Sequence, residues 1–227
     1  PGRLIAPYST APRLWFVGFD GDIDGAMAGS GEPIRYGYVQ TPAPPLSMYQ
    51  TMFARVPGSA EMPSAARPFS PRVIERLAGR GVGVARVVLH TGVSSLDLQD
   101  GTTTSTAYPE PFRVPAVAAE AVNRTRREGG RVIAVGTTVV RALESAVRDG
   151  VVRRTAGFTR LVIGPGRDAS VVDGLITGLH EPGTSHLDLL TAIGGAERVK
   201  ASYDEAMREE YLWHEFGDAH LLWARAA

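Results

Sequence analysis

Reactive side chains in this chain gather just after short apolar runs. Val132 to Val135 is one such run, and Gly136, Thr137, Thr138 and Arg141 follow it. A β-branched run of this length is the composition of a strand buried on both faces. Gly136 ends it. Thr137 and Thr138 read as N-caps of a helix whose apolar positions Val140, Leu143 and Val147 share one face, placing Arg141 in the first turn. A strand running through glycine into a helix turns several backbone N–H groups toward one spot, with the positive helix end behind them. With an arginine beside it, that geometry is a clamp for a carboxylate or phosphate. An ordinary βα turn with a surface arginine accounts for the same pattern.

Three further segments carry titratable groups in comparable positions. His90 opens His90-Thr-Gly-Val-Ser-Ser95, directly after the apolar residues 84–89. Val172 to Pro182 holds Asp173, Thr177, His180 and Glu181, and Glu215 to His220 is a glycine turn bearing Asp218. Ligands of α/β sheets bind beyond the carboxyl ends of strands, which suits all three segments. His90 and His180 titrate near neutrality and are candidates for proton transfer. A histidine hydrogen-bonded into a turn is the plainer alternative for each. Zinc held by His180, His186 and His220 lacks any recognised ligand spacing, so no metal is expected. No G-x-S-x-G elbow is present, and Pro165-Gly-Arg167 has neither the P-loop lysine nor the Rossmann glycine spacing. Tyr203, Tyr211, Trp213 and Phe216 read as packing for the last helix.

The elements that must hold these groups divide at a proline cluster, Pro42, Pro44 and Pro45. Residues 1–45 read as strand and loop only, part of a small β-barrel domain, with strand-like 13–19 and 32–39 around an Asp20-Gly-Asp22 turn. Residues 46–227 read as an α/β catalytic domain with a mixed or largely parallel sheet. Expected there are a helix from Ser70-Pro71 to Leu77, a strand at 84–89, a polar loop at 97–113 and a helix at 117–127. A strand at 161–163 and helices at 187–193 and 198–211 follow the central strand and helix.

The 227 residues suffice for a sizeable core, and 24 basic against 24 acidic residues leave no net charge to attract nucleic acid non-specifically. Absence of cysteine excludes disulfides and thiolate chemistry. Without an apolar run of membrane-spanning length, a soluble cytoplasmic protein is expected. The chain begins at Pro1 rather than methionine, as part of a longer protein would.

Taken in order, these segments resemble the S-adenosylmethionine:tRNA ribosyltransferase-isomerase family of queuosine biosynthesis. The resemblance covers roughly residues 47–222. It runs through Tyr49-Gln-Thr51, Gly58-Ser59, Pro63-Ser-Ala65, Phe69, Leu89-His90 and Gly92. It continues in Arg131-Val-Ile-Ala-Val-Gly-Thr-Thr138, Arg141 and Leu143-Glu-Ser145, then Pro165-Gly166, Val172-Asp173 and Leu175-Ile-Thr177. His180, Pro182, Ser185, Tyr203 and Phe216-Gly-Asp-Ala219 with Leu221 complete it. Many short motifs in one order are far more specific than any one of them.

The resemblance implies an enzyme that transfers and isomerises the ribosyl part of S-adenosylmethionine onto a deazaguanine base in tRNA, forming epoxyqueuosine and releasing adenine and methionine. It implies an α/β domain interrupted by a small β-barrel, and a family chain that begins upstream, so that the α/β domain here is incomplete on its N-terminal side. S-Adenosylmethionine is then the cosubstrate and tRNA the partner. His90, His180 and Asp173 would be catalytic. Gly136, Thr137, Thr138, Arg141, Thr177 and Asp218 would bind substrate, with Asp173 or Asp218 orienting a histidine or meeting ribose hydroxyls. These residues are expected to line one pocket.

Several motifs depart from the family pattern. Ser47-Met48 replaces Asp-Arg, and Pro63-Ser-Ala-Ala-Arg-Pro-Phe69 lacks the family's histidine. Thr91-Gly-Val-Ser-Ser-Leu96 and Thr177-Gly-Leu-His-Glu-Pro182 are altered, and 97–113 has no His-x-Met-His-x-Glu. Lost polar groups change what a site discriminates, and tRNA turnover is accordingly expected to be weak. A divergent enzyme using the same cosubstrate on a small-molecule acceptor and a non-catalytic protein retaining the fold are the alternatives.

Overall fold

Chain contacts separate Pro1–Leu46 from Ser47–Ala227. A computed structural model describes residues 1–8, 15–33, 42, 44–92, 108–164, 166–182 and 184–224. In the first unit β1 (Gly2–Pro7) pairs antiparallel with β2 (Trp15–Phe19). A helix follows, α1 (Ile23–Ser30), which corrects the expectation of strand and loop only. The Asp22 side chain accepts a hydrogen bond from Gly25 N (3.0 Å), and Asp24 stands in the first turn, so the expected turn is instead a helix cap. Residues 34–39 of the alternating stretch lie outside the described residues, and no closed barrel forms among those described.

In the second unit α2 (Pro71–Ala78) starts as its sequence predicts, with Ser70 Oγ accepting from Val73 N and proline at the first position. The short strand β3 (Val88–Leu89) pairs with β4 (Glu110–Val114). That corrects the polar-loop reading of 97–113 at its C-terminal end. Glu110, Phe112 and Val114 are buried while Pro111 and Arg113 are exposed, a period of two that outweighs the proline. Residues 93–107, with the threonine cluster, lie outside the described residues. Next come α3 (Ala116–Arg127), β5 (Ile133–Val135) and α4 (Thr137–Ser145). A hairpin of β6 (Val147–Arg148) and β7 (Val151–Val152) leads into β8 (Thr155–Thr159). The chain ends in β9 (Gly174–Gly178), α5 (Ser185–Gly194), α6 (Ala196–Arg208) and β10 (Ala219–Trp223).

Two three-stranded sheets result, ordered β3-β4-β8 and β10-β9-β5. Among the described strands only β5 and β9 run parallel, so the β10-β9-β5 sheet is mixed and the β3-β4-β8 sheet antiparallel, and neither is largely parallel. The expected strand at 161–163 is not one. Leu161 N donates to Thr159 Oγ1 (3.0 Å) and Leu161 O accepts from Arg141 Nε (2.8 Å), so side chains take the backbone groups a ladder would use.

The helix α4 packs against strands of both sheets, and its Val140, Ala142 and Leu143 join Val114, Leu175 and Leu190 in the core. Its start also differs from expectation. Gly136, at φ 97°, is the N-cap, and neither Thr137 nor Thr138 caps it; both are helical. Arg141 therefore sits in the second turn.

The 214 loop closes tightly on the end of β9. A Cβ on Gly178 would lie 2.2 Å from His214 Cβ and 2.6 Å from its Cα, while His214 N donates to Leu179 O. Gly178→Ala is expected to cost about 1–3 kcal/mol by overpacking against backbone. Urea unfolding checks this, and a stability equal to wild type would disprove the close approach.

Candidate active site

Parallel β5 and β9 end side by side, and the groups that follow them converge. Gly136 N donates to Ile176 O (2.8 Å), which sets the turn into α4 beside Thr177. Gly136 also approaches the 64–66 turn, with Ala65 Cβ 3.9 Å from where its own Cβ would be. Buried Thr177 Oγ1 lies 2.9 Å from His180 Nε2, and His180 Nδ1 lies 2.9 Å from His186 Nδ1 at the start of α5. The His180 backbone N–H donates to Tyr203 Oη on α6 (2.9 Å). His214 stacks against the His180 ring at 4.7 Å.

Two imidazoles meeting Nδ1 to Nδ1 must share one proton there, because one nitrogen has to donate and the other accept. Two neutral arrangements satisfy this. In one, His186 donates to His180, and His180 Nε2 donates to Thr177. In the other, every donor and acceptor is reversed, and His186 Nε2 carries a proton. Burial keeps both rings neutral. It lowers His180 well below the usual histidine range, helped by the charges of His186, His214 and His220. Burial, then the Arg141 charge, lowers His186 to about 4, with Glu110 opposing. His214 is also lowered to about 4, by burial and then His186.

Arg141 comes from the second turn of α4. Its Nη1 donates to Glu110 Oε2, its Nε donates to Leu161 O, and its buried Nη2 has no partner. Glu110 Oε1 accepts from Gly92 N (2.9 Å), two residues after His90. The anion that Arg141 requires is thus Glu110, with one donor still open. His90 N donates to Pro111 O, and a Cβ on Gly58 would lie 3.2 Å from His90 Nδ1. Glu110 and Arg141, with the segment after His90, form one connected group, Thr177, His180 and His186 form another, and the Arg141 charge is felt at His186.

Asp173 and Asp218 are not brought into it. Asp173 precedes β9 and accepts from Val132 N (2.7 Å), at the N-terminal ends of both parallel strands, about 13 Å along the strand from Thr177. Its carboxylate locks the start of β5. Exposed Asp218 accepts from Leu212 N (2.9 Å) and closes the 212–218 turn. Glu110 and His214 are site groups that sequence reasoning passed over, and His186 was weighed there only as a zinc ligand. The period-two pattern Glu110-x-Phe112-x-Val114 could have revealed the first. Nothing local reveals the pairing of His186 with His180. Among the described residues, no group of three or more His, Cys, Asp or Glu side chains is arranged to hold a metal.

Two measurements check this geometry. Removing Arg141 leaves buried Glu110 uncompensated, so Arg141→Ala should lower folding stability by about 3–5 kcal/mol, more than a purely ligand-facing arginine would; denaturant unfolding decides. Histidines with lowered folded pKa values bind protons in the unfolded chain first. Stability is therefore full above pH about 6.5 and falls as pH drops toward about 4, by up to about 1.4 kcal/mol per pH unit for each such histidine. His186→Gln should flatten that slope. A wild-type stability unchanged between pH 7 and 5 would contradict burial of the neutral rings.

Comparison with known proteins finds relatives along most of the chain. The profile of the family described as "Queuosine biosynthesis protein" matches residues 6–222. The S-adenosylmethionine:tRNA ribosyltransferase-isomerase of Thermus thermophilus is 41% identical over 222 residues, covering 97% of this chain and 64% of that protein. The enzyme of the same name from Deinococcus radiodurans is 42% identical over 175 residues, covering 77% of this chain and 48% of that one. A crystal structure described as S-adenosylmethionine tRNA ribosyltransferase from Thermotoga maritima is 36% identical. It superposes with a TM-score of 0.58, covering 69% of this chain and 50% of that one. The chain thus spans about half to two thirds of the length of these relatives. Matched along nearly its whole length and similar in fold, the chain belongs to the queuosine biosynthesis protein family.

Proposed function

We propose that this chain carries the catalytic histidines of an S-adenosylmethionine-dependent ribosyltransferase-isomerase acting on a deazaguanine base in tRNA to form epoxyqueuosine. The observation that carries the reading is the shared-proton pair of buried His180 and half-buried His186, within reach of the Arg141 charge. Ribosyl transfer breaks the bond to sulfur, releasing methionine, and the bond to adenine, which takes up a proton as it leaves, while the accepting base gives one up. A neutral histidine pair with two interchangeable tautomeric arrangements can do both in turn. His186 presents an accepting Nε2 in one arrangement and a donating one in the other, with Thr177 completing the exchange. Arg141 Nη2 is the natural partner for the carboxylate of S-adenosylmethionine, and the first-turn N–H groups of Thr137 and Thr138 lie on the same side of α4 as Gly136. His90 borders the site through Gly92 and Glu110. We assign Asp173 and Asp218 structural roles.

The names of the relatives support tRNA as the acceptor despite the altered motifs. No helix among the described residues is long and apolar enough to cross a membrane, in keeping with a tRNA-modifying role. Adenine release from S-adenosylmethionine in the presence of a queuosine-precursor tRNA tests the reading. His180→Asn and His186→Gln should each slow release about 10²–10⁴-fold, the range for loss of a positioned acid–base group. Wild-type rates in both variants would remove the histidine pair from the chemistry.

A further inference from the structure

The neutral total charge conceals a local imbalance along β8. A groove of about 600 Å³ runs beside this strand, lined by Phe158, Arg148, Arg160 and Arg167 among others. Among the described residues, none of these arginines is paired with a carboxylate. Arg148 Nη1 is held by the carbonyls of Ser145 and Val147, which fixes its stem and leaves its charge uncancelled. Among the described residues, the one acidic side chain lining the groove, Glu144, is already occupied. Its oxygens accept from Ser170 N, Val171 N and Ser170 Oγ. Exposed Arg153 and Arg154 lie just before β8, with Asp149 and Asp168 the nearest acids in sequence. Phe158 is 72% exposed and presents its ring beside these arginines.

We propose that this groove binds the phosphate backbone of a single-stranded stretch of RNA, with Phe158 as the platform on which one unpaired base stacks. The inference rests on tRNA being the acceptor and locates where that acceptor is held. Guanidinium groups spaced along a groove match successive phosphates, and a lone exposed aromatic can stack only on a base released from its helix. The groove also leads to the candidate active site. Glu110 is paired with Thr159 across β4 and β8, and Leu161, which lines the groove, lends its carbonyl to Arg141. An enzyme that alters one base within RNA must hold the neighbouring backbone close to its catalytic groups, and this is the adjacent basic surface.

Anisotropy titration of a fluorescein-labelled tRNA transcript with the full-length protein, repeated over a series of salt concentrations, tests the assignment. Arg160→Ala/Arg167→Ala should weaken binding at least about tenfold and lower the salt slope by about 2, one unit for each lost phosphate contact. Phe158→Ala should weaken binding about tenfold with the salt slope unchanged, and Phe158→Trp should restore it. Lys200→Ala, an exposed change on α6, is the control expected to bind like wild type. Thermal melting confirms that each variant is folded. If wild type binds tRNA and the groove variants bind equally well, the groove assignment is wrong while the acceptor reading stands. If wild type binds no tRNA at any salt concentration, the acceptor reading itself falls and takes the groove with it.

Discussion

Glu110 and Arg141 meet where the β3-β4-β8 sheet closes on α4, and much of the site is organised around that contact. The carboxylate starts β4 and reaches back to the backbone of Gly92. The guanidinium rises from α4 and also grips Leu161 O. One ion pair thereby ties the segment after His90, the end of β8 and the central helix into one body. Taking both charges out of water is expensive and is offset only when the remaining donors and acceptors find partners. Of the five polar atoms of the two groups, four find partners within the fold. The exception is Arg141 Nη2, which is buried without a partner.

The second sheet supplies the other half. Since β5 and β9 run parallel, the residues after both strands emerge at the same end: the glycine turn into α4 and the Thr177–His180 segment. Antiparallel β10 brings His220 opposite Thr177, and the tight 212–218 turn lays His214 on His180. Neutral imidazoles pack against one another there because the surroundings are too dry to charge them. The same burial that lowers their basicity allows a shared proton to be held without a counter-ion. Arg141 adds a positive charge nearby and reinforces the effect.

Distribution of charge matters more than its total. Equal numbers of acidic and basic residues argued against nucleic acid when counted over the chain. Folding gathers arginines along β8 and satisfies Glu144 with backbone donors, so the local field differs from the average.

Local patterning by itself determined α2, α3 and the strand–glycine–helix unit at 132–145, because periodicity, capping and proline placement act within a few residues. The ordered motifs likewise identified the family. Local signals misled where a tertiary partner overrode them. Pro111 looked like a strand breaker, but the alternating burial of Glu110, Phe112 and Val114 carried β4 through it. Leu161 to Ile163 looked like a strand, but Thr159 and Arg141 claimed the backbone of Leu161. Asp173 looked catalytic from its proximity in sequence to His180, yet the five residues of β9 carry the two to opposite ends of the strand. Only the tertiary structure decided that His186 faces His180 and that Glu110 answers Arg141. Residues 6 and 31 apart in the chain meet through the packing of α5 and β4 around α4, which no short-range pattern encodes.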